Sequence, residues 1–105
     1  MLGKYNHFGV PTSTKKEKET HYEEIKVYGT SPDDHPYGVE FLRFEDNCPL
    51  PEELQTMCHA AFEVDNLNEA MKGYQVVMEP FHVTDTLTCA FIMDGEALIE
   101  LMQVS

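Results

Sequence analysis

Two histidines and two glutamates stand out because each lies among apolar residues. His59 falls in Cys58-His59-Ala60-Ala61-Phe62-Glu63-Val64, and Glu100 falls in Ala97-Leu98-Ile99-Glu100-Leu101-Met102, forty-one positions later. An earlier pair, His7 in HFGVPT and Glu40 in GVEFLRFE, is thirty-three positions apart. Burying an ionised carboxylate among apolar side chains is costly unless it is paired. A divalent cation removes that cost, since two carboxylates neutralise it and two neutral imidazoles add no charge. Nitrogen and oxygen ligation without thiolate suits Zn, Ni, Co, Mn or Fe(II). Four protein ligands on an octahedral ion, His7, Glu40, His59 and Glu100, leave two adjacent positions. A small oxygen-rich substrate with neighbouring oxygens can fill both, and the ion then stabilises developing enolate charge. Glu100 or Glu40 would move the proton as general base.

Strand periodicity must position these side chains. Residues 4–10 (KYNHFGV) read as a strand with Tyr5, His7 and Gly9 on one face, stopped by Pro11. Residues 12–20 offer no apolar face and read as a loop. Residues 21–30 read as one strand, 31–38 as turn chemistry, and 39–45 as a strand with Glu40, Leu42 and Phe44 on one face. Residues 46–56 read as a linker with a single helical turn at 51–55. In the second half, strand 58–64 leads to a helix over 66–73, capped by Asp65 or Asn66 and ended by Gly73. Strands 74–79 and 87–93 follow, then a hairpin turn at Asp94-Gly95 and a last strand over 97–103.

Placing His7 over His59 and Glu40 over Glu100 gives offsets of 52 and 60, so the first half is eight residues shorter between its anchors. Eight residues is the size of the helix expected at 66–73. The fold class is therefore α+β: a duplicated βαβββ module, the first copy with its helix lost or stunted. The modules span 4–46 and 57–104, joined by linker 47–56 in a single domain of 105 residues.

Composition narrows the partners. Seven Lys and Arg oppose nineteen Asp and Glu, for a net charge of −12. Such a surface gives a polyanion little purchase, which argues against nucleic acid and anionic membrane. No apolar run reaches the roughly 20 residues of a membrane span, and no signal-peptide core opens the chain, so the expected location is cytoplasmic. Cys48, Cys58 and Cys89 lack CxxC spacing and read as reduced thiols, Cys58 and Cys89 on core strands. Arg43 lies on the strand face opposite Glu40, which suits a surface ion pair, and His21, His35 and His82 read as surface residues. Glu63 shares a face with His59 as a candidate base or rim residue. Tyr5, Tyr28 and Tyr37 are candidates to line the cup.

HFGVPT, GVEFLRFE, CHAAFEVDNL and AFIMDGEALIELMQ resemble the strand motifs of the vicinal oxygen chelate superfamily, which includes glyoxalase I and the extradiol dioxygenases. The resemblance runs over most of residues 5–103 and is strongest over 58–103. It implies two βαβββ modules forming a cupped mixed sheet around a metal whose ligands come from the first and last strands of each. By motif those ligands are His7, Glu40, His59 and Glu100. The implied activity is that of a metal-dependent lyase or isomerase of glyoxalase type. A non-catalytic small-molecule or metal-binding protein of the same fold is the alternative, and an Fe(II) ring-cleaving dioxygenase a second. Members of the family commonly pair, and the stunted first half leaves apolar sheet surface uncovered, so a homodimer is expected.

Overall fold

The computed structural model describes residues 2–105. Among these residues eight strands, β1 (Lys4–Pro11), β2 (Thr20–Tyr22), β3 (Val27–Gly29), β4 (Val39–Phe44), β5 (His59–Glu63), β6 (Gln75–Thr84), β7 (Leu87–Asp94) and β8 (Ala97–Val104), hydrogen-bond in the order β2-β3-β4-β1-β5-β8-β7-β6, with two short α-helices. This is a mixed α+β architecture. The chain divides into two compact units, one formed by Asn6 and the residues before it together with His59–Ser105, the other by His7–Cys58. Among the described residues no helix is long and apolar enough to cross a membrane.

In the unit containing His59–Ser105, β5 (His59–Glu63) leads to α2 (Leu67–Met71), then β6 (Gln75–Thr84), β7 (Leu87–Asp94) and β8 (Ala97–Val104). β5 and β8 run parallel, while β7 pairs antiparallel with both β8 and β6. The parallel pair needs a long crossover, which α2 and two strands supply. α2 is short, so its stability comes from packing rather than propensity. Asn66 caps it by accepting from the Glu69 N–H, and the Leu67 N–H donates to Gln103 Oε1 on β8. Leu67 and Met71 then pack on Ala90, Ile92 and Leu101, which covers one face of the sheet. Burying each is worth about 1.5–3 kcal/mol. The helix ends at Met71 with Lys72 as its C-cap, short of the 66–73 expected from sequence, and Gly73 follows in the left-handed region at φ +84°.

Two further expectations need correction here. β6 does not stop at residue 79 but runs through Pro80 to Thr84, so His82 is a strand residue and not a loop residue. Pro80 is tolerated because β6 is an edge strand and its ladder is bulged between Met78 and Phe81. The β7–β8 hairpin turns at Gly95-Glu96, one residue later than expected, with Asp94 opposite Ala97 and Gly95 at φ +59°. A two-residue loop with glycine first is a favoured hairpin geometry.

The unit formed by His7–Cys58 holds the larger part of β1 (Lys4–Pro11), then β2 (Thr20–Tyr22), β3 (Val27–Gly29), β4 (Val39–Phe44) and α1 (Glu52–Thr56). β1 and β4 are parallel, and β3 is antiparallel to both β4 and β2. The stretch 21–30, expected as one strand, is a hairpin. A 3₁₀ turn at Glu23–Ile25 breaks it, and Lys26 takes the left-handed conformation with its N–H bonded to the Glu23 carbonyl. α1 falls within the segment read as a linker. Cys58 is exposed and precedes β5, contrary to the expectation of a core strand, while Cys89 is buried as expected.

Residues 12–19 form no helix. The Thr12 N–H bonds the Leu42 carbonyl, and Lys16 lies 4.3 Å over the Phe41 ring. Glu19 takes both Nε and Nη2 of Arg43, at 3.0 and 2.8 Å, and the guanidinium stacks 4.1 Å over Tyr28. Arg43 thus makes an ion pair, part-buried rather than on the surface as expected. The Arg43 hydrogen bond holds the Glu19 carboxyl at about 2, well below the ordinary 4.5. A depressed folded-state pKa stabilises the fold fully above pH 4.5, and that stabilisation is lost as pH falls toward about 2. Glu19→Gln is therefore expected to lower the melting temperature at neutral pH, by an amount that shrinks steadily between pH 4.5 and 2. Thermal melts of both proteins followed by circular dichroism across that range check it. A gap that stays constant with pH would rule out the carboxylate as its source.

Candidate metal centre

Alternation on β1 buries His7 and Gly9 and leaves Asn6 and Phe8 exposed. On the parallel β4, Glu40 lies opposite Gly9, the residue two after His7. Because Gly9 has no side chain, the Glu40 carboxylate can lean back along β1. Its Oε1 lies 3.5 Å from His7 Nε2.

The other unit repeats the construction. His59 opens β5, and Glu100 on the parallel β8 lies opposite Ala61, again the residue two after the histidine. Ala61 is fully buried and small enough to let Glu100 pass. Glu100 Oε1 lies 3.1 Å from His59 Nε2. In each unit, then, a small residue on the first strand sets the contact between a histidine two positions before it and a glutamate facing it.

Burial makes these pairs unusual. His7 is 5 % exposed, His59 2 % and Glu100 8 %, and they are the buried polar residues among those described. Glu40 is half-buried. The His59 ring meets Phe91 edge-to-face, with centroids 5.1 Å apart.

One ligand atom from each of His7, Glu40 and His59 lies within 4.8 Å of the others, so this group could hold a metal ion. Two imidazoles and a carboxylate are donors such an ion takes, and Glu100, which contacts His59, is outside this group. Bonds of roughly 2.0–2.2 Å to neighbouring positions of a tetrahedral or octahedral ion put donor atoms roughly 3.0–3.5 Å apart. The His7–Glu40 and His59–Glu100 separations of 3.5 and 3.1 Å fall in that interval.

The remaining candidates lie elsewhere. His21 stacks on Tyr28 at 4.1 Å and pairs with Glu45. His35 Nδ1 accepts from the Tyr37 N–H, and His82 Nδ1 meets the Thr88 hydroxyl. Tyr5 packs edge-on against Phe62, and Tyr37 is exposed. Glu63 shares a depression with Lys4 and Asp65 at the end of β5. Sequence reasoning missed Phe91, beside the His59–Glu100 pair, and Phe81, stacked on Phe91. Phe91 could have been found by alternation on residues 87–93, whereas the bulge at Pro80 hid Phe81. Compared with known proteins, the chain matches no family model and no curated sequence.

Proposed function

We propose that His7, Glu40, His59 and Glu100 together hold one divalent ion, and that the chain is a metal-dependent lyase or isomerase of glyoxalase type. On this reading the chain is two βαβββ modules, the first without its helix, in the manner of the vicinal oxygen chelate superfamily. The observation that carries it is the repeated register: Glu40 opposite Gly9 with His7 two residues back, and Glu100 opposite Ala61 with His59 two residues back. A single buried histidine–glutamate contact is a common structural device. Two of them, built alike from separate parts of the chain and each with a donor spacing that an ion takes, are better explained by ligation.

A bound divalent ion would supply Lewis acidity to two neighbouring oxygens of a small substrate. The chain's own residues do the rest. Glu100 has two carboxylate oxygens, so one can accept and return a substrate proton while the other keeps its contact with His59. Glu40, half-buried against His7, is the second group able to do so. Phe91, opposite Glu100 on β7, keeps water from that carboxylate. The acidic chain, with one arginine and six lysines, suits a substrate without phosphate or carboxylate groups.

Calorimetric titration of chelator-treated protein with Zn, Ni, Co, Mn and Fe(II) tests the site. One equivalent per chain is expected for at least one of them. Binding below about a tenth of an equivalent for every ion would sink the reading, because a ligand set of this kind binds or does not.

A further inference from the structure

We infer that Phe91 and Phe81 form a recognition wall beside the His59–Glu100 pair, and that the substrate carries an uncharged aryl group next to its chelating oxygens. The inference rests on the function proposed above and concerns one face of the sheet β5-β8-β7-β6. α2 covers the opposite face. On the face in question, Glu100 is opposite Phe91, and the Phe91 ring stands edge-on to His59. Next along the row is Phe81, its ring plane 5° from that of Phe91 and the centroids 6.5 Å apart.

The bulge in β6 puts Phe81 there. Met78 is opposite Phe91, so an unbroken ladder would bring Pro80 opposite Cys89. The register shift inserts one residue and brings Phe81 to that position instead. Bulges commonly re-aim a side chain in this way. Exposure rises along the row, from buried Glu100 and Phe91 to half-buried Phe81 on the edge strand. A substituent reaching outward from His59 and Glu100 therefore passes over two parallel aromatic rings.

Among the described residues of this unit, the cluster that packs with Phe81 contains no cation. The lysines of this unit are Lys4 and Lys72. Lys72 is the C-cap of α2 on the other side of the sheet and pairs with Glu69. Lys4 lies in the depression with Glu63 and Asp65. Phe81 packs, with Leu87, against the cluster of Ala61, Cys89 and Met102. An anionic tail would be desolvated there without compensation, whereas an aryl ring gains contact with half-buried Phe81 and extends the stack that Phe81 makes with Phe91.

Two neutral α-hydroxyketones separate the possibilities: 2-hydroxyacetophenone, which carries a phenyl group, and hydroxyacetone, which carries a methyl. Both are titrated by calorimetry into protein loaded with Zn or Ni, after metal binding has been measured alone. The phenyl ketone is expected to bind about tenfold more tightly or better. Phe81→Leu, which keeps an apolar side chain on the edge strand, should remove most of that preference. Metal affinity and hydroxyacetone affinity should change less than about twofold. Phe91→Leu should act in the same direction. Metal bound with equal affinity for the two ketones overturns this inference alone. So does a Phe81→Leu protein that loses both ketones equally, since the residue would then be structural. Failure of every metal to bind overturns the proposed function, and this inference with it.

Discussion

Glu100→Gln is expected to weaken divalent-ion binding about a hundredfold or more and to abolish proton transfer, while the metal-free fold melts within a few degrees of the parent. The substitution keeps the shape of the side chain and its ability to contact His59 Nε2, 3.1 Å away. It removes the negative charge that an ion requires and the basicity that proton transfer requires. Losing a partner that merely orients a ligand costs about 10–100-fold in metal affinity, so losing a ligand costs more. The structural alternative makes a different forecast. If the His59–Glu100 contact were only a buried ion pair, a neutral isostere would be near neutral or would change stability alone, with no metal phenotype to lose. Calorimetry with the best-binding ion, paired with thermal melts of the chelator-treated proteins, separates the two. Unchanged metal affinity in the variant would remove Glu100 from the ligand set. His7→Ala provides the matching comparison in the other unit, where the glutamate contact is 3.5 Å.

How much of this was legible in the residues depends on what each element had to satisfy. His7 and Gly9 are buried between exposed neighbours because a strand has period two, and that alternation is readable without a structure. The same holds for β5 and β8, where Ala61 and Glu100 come out on one face as periodicity requires. The register that puts Glu40 opposite Gly9 and Glu100 opposite Ala61 is a tertiary fact. No local pattern states which strands pair in parallel across crossovers of twenty-odd or more residues.

The misreadings were local competitions won by backbone chemistry. Ile25 and Val27 imitate one face of a continuous strand, yet Lys26 takes φ +57° and folds the segment into a hairpin. Pro80 argues for the end of a strand, yet an edge position and a bulge accommodate it and carry β6 four residues further. The helix expected at 66–73 shrank to Leu67–Met71 because only the turn touching Ala90, Ile92 and Leu101 has anything to bury against. In the other unit, no residue in 12–19 could have served that purpose. The Glu19–Arg43 clamp and Lys16 over Phe41 hold that segment in a helix's stead. Polar clamps of this kind are specified by side-chain geometry, which a periodicity reading does not contain.

The second large effect expected is on stability. Saturating Zn or Ni should raise the melting temperature by roughly 10–20 °C, and chelator should reverse the rise. The size follows from linkage: a ligand present at 100 times its dissociation constant adds about 2.7 kcal/mol to a protein that binds it only when folded. For a domain of this size each kcal/mol is worth about 4–8 °C. The physical source is the burial of His7, His59 and Glu100, with Glu40 half-buried against His7. Bringing carboxylates into a low-dielectric setting is offset far better by a divalent charge than by neutral imidazoles. Binding requires deprotonated ligands, so the rise should fade as the solution is made acidic, while the stabilisation from Glu19 persists until lower pH. That separation in pH distinguishes metal linkage from the Glu19–Arg43 clamp within one set of melts. His59→Ala should eliminate the metal-dependent rise without touching the Glu19 contribution. A melting temperature indifferent to both metal and chelator would show that the four ligands do not form a site. The two histidine–glutamate contacts would then be ion pairs of the fold.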